Sequence, residues 1–97
     1  MATYIVLGSY TDQGIRDVKD TTKRADAFRE VAKASGAMVK DIHWTLGQYD
    51  IIATVDAPSD AVITALGLTL AKAGNVRTQT LRAFSQAEMA AVIAKVS

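Results

Sequence analysis

The sequence predicts an α+β domain in which two β-α-β units share one four-stranded antiparallel sheet, with a further helix at the C-terminus. Three observations carry this expectation. Short β-branched and aromatic runs alternate with stretches of helical apolar spacing. A glycine closes each of the first two helical stretches, at Gly36 and Gly74. Two extended runs in the middle of the chain are separated only by Leu46-Gly47-Gln48, which is too short for a helix and suits a hairpin.

Thr3 to Tyr10 opens the chain as a strand, rich in β-branched and aromatic residues. Thr11 or Asp12 then starts a short turn, and Asp20 or Thr21 caps a longer helix whose apolar side is Ala25, Phe28, Val31 and Ala32. Ala37 to Thr45 is extended again. It places His43 in a parity row with Val39, Asp41 and Thr45. The next strand is read from Tyr49 to Val55, with Gly47 supplying the positive φ of the hairpin. Pro58 marks the first position of a second long helix, with Ser59 and Asp60 behind it and Val62, Ala65, Leu66, Thr69 and Ala73 on one side. Val76 to Phe84 is the last strand, with Arg77 and Gln79 on one face and Thr78, Thr80 and Arg82 on the other. Ser85 and Glu88 form a capping box ahead of Met89, Val92, Ile93 and Val96. The order is the ferredoxin-like βαββαβ plan with an added C-terminal helix, in a single domain over residues 1–97.

Bulk properties narrow the function. The 97 residues hold no cysteine, so no disulfide, thiolate metal site or cysteine nucleophile is available. Eleven basic side chains nearly cancel ten acidic ones, which leaves no electrostatic case for nucleic acid or an anionic membrane. No apolar run reaches the ~18 residues of a spanning helix, and Met1-Ala2-Thr3-Tyr4 lacks the basic flank of a signal peptide. A cytoplasmic location is expected. Phosphate-loop, dinucleotide-binding and serine-nucleophile motifs are missing, and a single histidine falls short of the usual zinc spacings. No cofactor and no metal are expected.

A four-stranded sheet with helices on one side normally alternates apolar and polar residues along its strands. Tyr4-Ile5-Val6-Leu7 and Ile51-Ile52-Ala53-Thr54-Val55 are instead apolar at both parities. The face turned away from the helices therefore needs its own cover, and a second copy of the same sheet, related by a two-fold axis, supplies it. A homodimer or higher homo-oligomer is expected; the alternative is that these strands are simply central in the sheet and the exposed face tolerates some apolar surface.

The stretch Gly47-Gln48-Tyr49-Asp50-Ile51-Ile52-Ala53-Thr54-Val55, together with Gly74-Asn75-Val76-Arg77-Thr78-Gln79-Thr80, resembles the GYD-domain family of small bacterial proteins. The resemblance runs from the opening strand to Ser85, with Gln48 interposed so that the motif reads Gly-x-Tyr-Asp. It implies an architecture similar to the dimeric α/β barrel superfamily, not an activity. The same pattern resembles the effector-binding domains of leucine-responsive regulators, which bind small metabolites at an interface between chains. With no DNA-reading helix-turn-helix expected ahead of it, a regulatory role would be expected to act through another protein.

Candidate chemistry is sparse. His43, the one imidazole, would be the base if the protein is an enzyme; otherwise it is a residue satisfied by a neighbouring hydroxyl or carboxylate. Tyr49 and Asp50 would line a pocket at the barrel mouth, beside Gln48, or else Asp50 ties down turn amides and Tyr49 packs on a neighbouring strand. Arg77, Gln79 and Arg82 would hold a small carboxylate, with Arg77 or Gln79 steadying an oxyanion if the protein is an enzyme, and as the alternative they are edge-strand polarity that discourages further pairing. Tyr4, Tyr10 and Trp44 are aromatic enough to wall a cavity. The expected ligand-binding set is thus Tyr4, His43, Gln48, Tyr49, Asp50, Arg77 and Gln79. The leading reading is a dimeric domain that binds a small organic ligand or serves an accessory role; the alternatives are a cofactor-independent monooxygenase or isomerase and a purely structural assembly subunit.

Overall fold

The computed structural model describes residues 1–97. Strand β1 (Ala2–Tyr10) leads into a short helix α1 (Asp12–Arg16) and a 3-10 turn (Val18–Asp20) that runs directly into α2 (Thr21–Ala34). Strands β2 (Met38–Trp44) and β3 (Ile51–Ala57), helix α3 (Asp60–Ala73), strand β4 (Val76–Ala83) and helix α4 (Gln86–Ile93) complete the chain. The four strands form one sheet in the order β2-β3-β1-β4, and every neighbouring pair is antiparallel. This is the ferredoxin-like α+β plan that the sequence predicts.

Side-chain parity divides the sheet cleanly. Tyr4 and Val6 of β1 pair with Val55 and Ala53 of β3, and all four are buried on the helix side. Phe28 and Ala32 of α2 and Ile63 and Leu66 of α3 cover them. Val55 is fully buried, and sealing such a side chain from water is worth about 1.5–3 kcal/mol. Ile5 and Leu7 alternate to the other face, where they pair with Thr54 and Ile52 of β3 and with Leu81 and Gln79 of β4. No helix covers that face, and Ile5, Leu7 and Ile52 are only half-buried there. The mixed apolar parity that marks these strands in the sequence thus corresponds to a sheet with an open, partly apolar side.

Local details differ from the simplest sequence reading in three places. The helix α3 is capped by the Ser59 hydroxyl, which accepts from the Val62 amide at 3.3 Å, so Pro58 stands one residue ahead of the cap and not at the first helical position. Strand β3 begins at Ile51 instead of Tyr49, because Thr45 to Asp50 form a loop closed by the Thr45 amide on the Asp50 carbonyl at 2.8 Å. A bulge lies between Val39 and Asp41. It moves Val39 to the helix face and leaves Asp41 and His43 on the open face, so the parity row running from Val39 to His43 is broken.

Helix α4 has the reciprocal capping box: the Glu88 amide donates to Ser85 Oγ at 3.1 Å, and the Ser85 amide donates to Glu88 Oε1 at 2.8 Å. It buries none of its residues, and Met89, Val92 and Ile93 remain exposed. The molecule is long for its size, 50 × 31 × 18 Å, with a radius of gyration of 14.5 Å against about 13 Å for a compact chain of this length.

Candidate functional site

Two surfaces present themselves, one on each side of the sheet. On the open side, Ile5, Leu7, Ile52 and Leu81 form an apolar band that runs across β3, β1 and β4. Polar side chains border it. Gln79 and Arg77 come from β4, His43 and Asp41 from β2, and Thr54 and Asp56 from β3. Asp56 accepts from the Thr3 hydroxyl at 2.8 Å and pairs with Lys40 at 3.9 Å.

The residues singled out in the sequence separate into three groups. Tyr49 and Gln79 come together: the phenol donates to Gln79 Oε1 at 2.6 Å. Strand β1 lies between their elements, so the bond spans it on the open side. Asp50 points toward β1, where Oδ2 accepts from the Tyr10 amide at 2.9 Å, and its own amide donates to the Gly8 carbonyl at 2.8 Å. The carboxylate therefore clamps the loop to the neighbouring strand. Gly47, at φ 109°, makes the sharp turn that brings Tyr49 and Asp50 back to the sheet, and Gln48 is exposed at the tip. His43 and Arg77 lie on the same open side but apart from these contacts, His43 with Asp41 as its acidic neighbour at 3.8 Å. Tyr4 stands on the opposite side of the sheet. It is buried in the core with its hydroxyl on Asp60 Oδ1, and that hydrogen bond raises the phenol's pKa above its ordinary value.

Strand β4 and strand β2 are the sheet edges. The β4 edge carries Arg82, whose guanidinium lies 4.5 Å from the centre of the Phe84 ring and donates to the Thr3 carbonyl at 3.2 Å. An edge strand holding Arg77 and Arg82 discourages unplanned strand addition, as does the bulge in β2.

On the helix side, α2, α3 and the strands beneath them surround a cavity of about 260 Å³ whose lining includes Gly8, Trp44 and Val76. Phe28, Leu66, Val6 and Ala53 form its buried floor. Thr21, Trp44 and Asn75 stand at its open end. There the Thr21 hydroxyl accepts from Trp44 Nε1 at 3.0 Å and shares a 2.9 Å hydrogen bond with the Tyr10 hydroxyl. Of the residues first weighed as cavity walls, Trp44 lines this space. Apart from Asn75, the other lining residues come from all four strands and from α2 and α3, and their apolar members read in the sequence only as ordinary core; the one local signal is a small residue, Gly8 or Ala53, at helix-facing strand positions.

The sheet order, the helices on one side and the open apolar face define the class of small ferredoxin-like domains. The chain belongs to the GYD domain family, whose model matches residues 4–93. It is also similar to the glutamine synthetase and cystathionine beta-lyase binding protein of Thermus thermophilus, 34% identical over 92 residues, a match that covers 94% of this chain and 97% of the other. Both stretches that carry the family resemblance meet in space, since Tyr49 belongs to one and Gln79 to the other.

Proposed function

We propose that this chain is a binding protein that pairs with a second copy through the open face of its sheet and, as that pair, docks on enzymes. The carrying observation is the apolar band of Ile5, Leu7, Ile52 and Leu81, which no helix covers. Such a band, bordered by polar side chains, matches the make-up of a protein interface. A two-fold pairing makes the same patch serve both sides. In the pair, Tyr49, Gln79, Arg77 and His43 would line the space between the sheets, where a small organic ligand would find both donors and acceptors. The name of the Thermus thermophilus relative supports an enzyme as the further partner. A catalytic role for His43 draws less support, because its acidic neighbour at 3.8 Å is its only close polar partner and it does not line the cavity.

Sedimentation at micromolar concentration tests the pairing. The expected mass is twice the 10.3 kDa of one chain, and Leu7→Arg or Ile52→Arg is expected to return the single-chain mass while keeping the far-ultraviolet spectrum. A wild-type protein that sediments as single chains sinks the reading. Enzyme docking is tested separately by titrating the paired protein with purified glutamine synthetase and cystathionine beta-lyase. Failure to bind either would remove the enzyme partner and leave the pairing untouched.

A further inference from the structure

We propose that the cavity between α2, α3 and the sheet is a binding site for a medium-chain aliphatic carboxylic acid, with the tail on the buried floor and the carboxylate at Arg24. This site is independent of self-association, because it lies on the opposite side of the sheet from the open apolar band.

Volume and lining supply the first argument. Protein interiors are packed with few voids larger than a water molecule, yet this domain keeps about 260 Å³ open beside a core of ten residues. Ligand sites usually span about 300–1,000 Å³, so the space suits a small occupant. Its walls are mainly aliphatic, with Val6, Ile42, Ile51, Leu66 and Leu70 among them. Two strand positions facing the space carry Gly8 and Ala53, where larger side chains would close it. A Cβ built on Gly8 would meet nothing nearer than Ile51 Cβ at 3.6 Å, so there is room at this position that the chain leaves unfilled.

Charge supplies the second argument. Of the 19 residues lining the cavity, Arg24 is the one with a charged side chain, and no acidic residue joins it. Backbone carbonyls hold its guanidinium in place: Nη1 donates to Asp17 O at 2.8 Å and Nη2 to Gly14 O at 3.3 Å. These bonds fix the fork without neutralising it. The ion pairs of the chain join Lys40 to Asp56 and His43 to Asp41, so the Arg24 charge has no carboxylate of its own. A positioned guanidinium beside an apolar cavity recognises a molecule with one anionic end and an apolar body. Trp44, held by its hydrogen bond to Thr21, forms the wall next to that end.

Trp44 is the only tryptophan of the chain, so intrinsic fluorescence reports on this cavity directly. Octanoate should shift that emission saturably, with calorimetry returning one site per chain. 1-Octanol should bind at least tenfold more weakly, and Arg24→Gln should reduce octanoate to the level of the alcohol while Lys23→Gln, on the exposed side of α2, leaves the difference in place. Ala53→Leu should abolish binding by filling the floor; Ala73→Leu, at the exposed mouth, keeps the test valid if the buried variant fails to fold. The proposal is overturned if octanoate leaves Trp44 unchanged, if the alcohol binds as well as the acid, or if Ala73→Leu binds octanoate like the wild type. A Trp44 emission that depends on protein concentration and not on octanoate would also overturn it, and would assign the groove to a second copy.

Discussion

The hydroxyl of Tyr49 donates to Gln79 Oε1 at 2.6 Å, joining the β2–β3 loop to the far edge strand across β1. Beside it, Asp50 Oδ2 accepts the Tyr10 amide at 2.9 Å. These adjacent residues thus fasten one loop to two different strands, and they do so with bonds of unequal strength. The Tyr49 bond joins two neutral side chains and is exposed, whereas the Asp50 bond has a carboxylate acceptor and is partly buried. Tyr49→Phe is expected to lower stability by no more than about 1 kcal/mol, and Asp50→Ala by about 1.5–3 kcal/mol, in urea unfolding. The reverse ranking would show that the loop is held mainly from β4.

The architecture was legible because it depends on local patterns. Gly36 and Gly74 have φ of 83° and 89°, as helix-terminating glycines require, and the Ser85–Glu88 capping box is present in both of its hydrogen bonds. The parity of β4 was readable for the same reason. The bulge at Lys40 was not, since nothing in an alternating run marks where an extra residue is inserted. Nor was the helix-side cavity, which depends on how far α2 and α3 stand apart. That distance is decided by packing between residues remote in sequence, so the aromatic and polar residues that stood out in the sequence mostly led to the other side of the sheet.

Two glycine-to-alanine changes should act in opposite directions. Gly14 is buried in α1 against the loop before β4, and a Cβ there would lie 1.9 Å from the Asn75 carbonyl oxygen, a backbone atom. That carbonyl already accepts the Thr11 amide at 3.1 Å and is held in place by it. Gly14→Ala is expected to destabilise by about 1–3 kcal/mol. Gly67 lies inside α3, where a new Cβ would meet Thr78 Oγ1 at an ordinary 3.5 Å, and alanine has the better helix propensity. Gly67→Ala is expected to stabilise by about 0.5–1 kcal/mol. Thermal unfolding of both variants checks the pair; a stabilised Gly14→Ala would mean that α1 does not dock on Asn75.

Tyr4 supplies an alkaline limit. Its hydrogen bond to Asp60 favours the protonated phenol and raises the folded pKa above the ordinary 10.0. A group raised on folding contributes stability that is fully present below the unfolded pKa and is lost as pH rises through the folded one. The protein should therefore lose stability above pH 10, and Tyr4→Phe should flatten that decline. Urea midpoints measured across this range decide it, with an unchanged slope in Tyr4→Phe counting against the Asp60 bond.

Helix α4 should titrate at the acid end, and its isolation makes the effect local. The Ser85 amide bond holds the Glu88 carboxyl below its ordinary 4.5, with the Ser85 side chain acting in the same direction. For a depressed carboxyl, the stabilisation is present above the unfolded pKa and is lost as pH falls through the folded value. Acidification should therefore fray α4 from its N-terminus. Ser85→Ala should do the same at neutral pH, at a cost of about 0.5–2 kcal/mol to the helix. Because α4 buries none of its residues against the sheet, neither change should alter amide exchange in β1 within a single chain. If the chain pairs as proposed, exchange measured in the pair and in the Leu7→Arg single chain separates two outcomes. If Ser85→Ala speeds exchange in α4 alone in both states, the helix stays free on assembly. If it also loosens the pair, then Met89, Val92 and Ile93, exposed in the single chain, are covered by the partner.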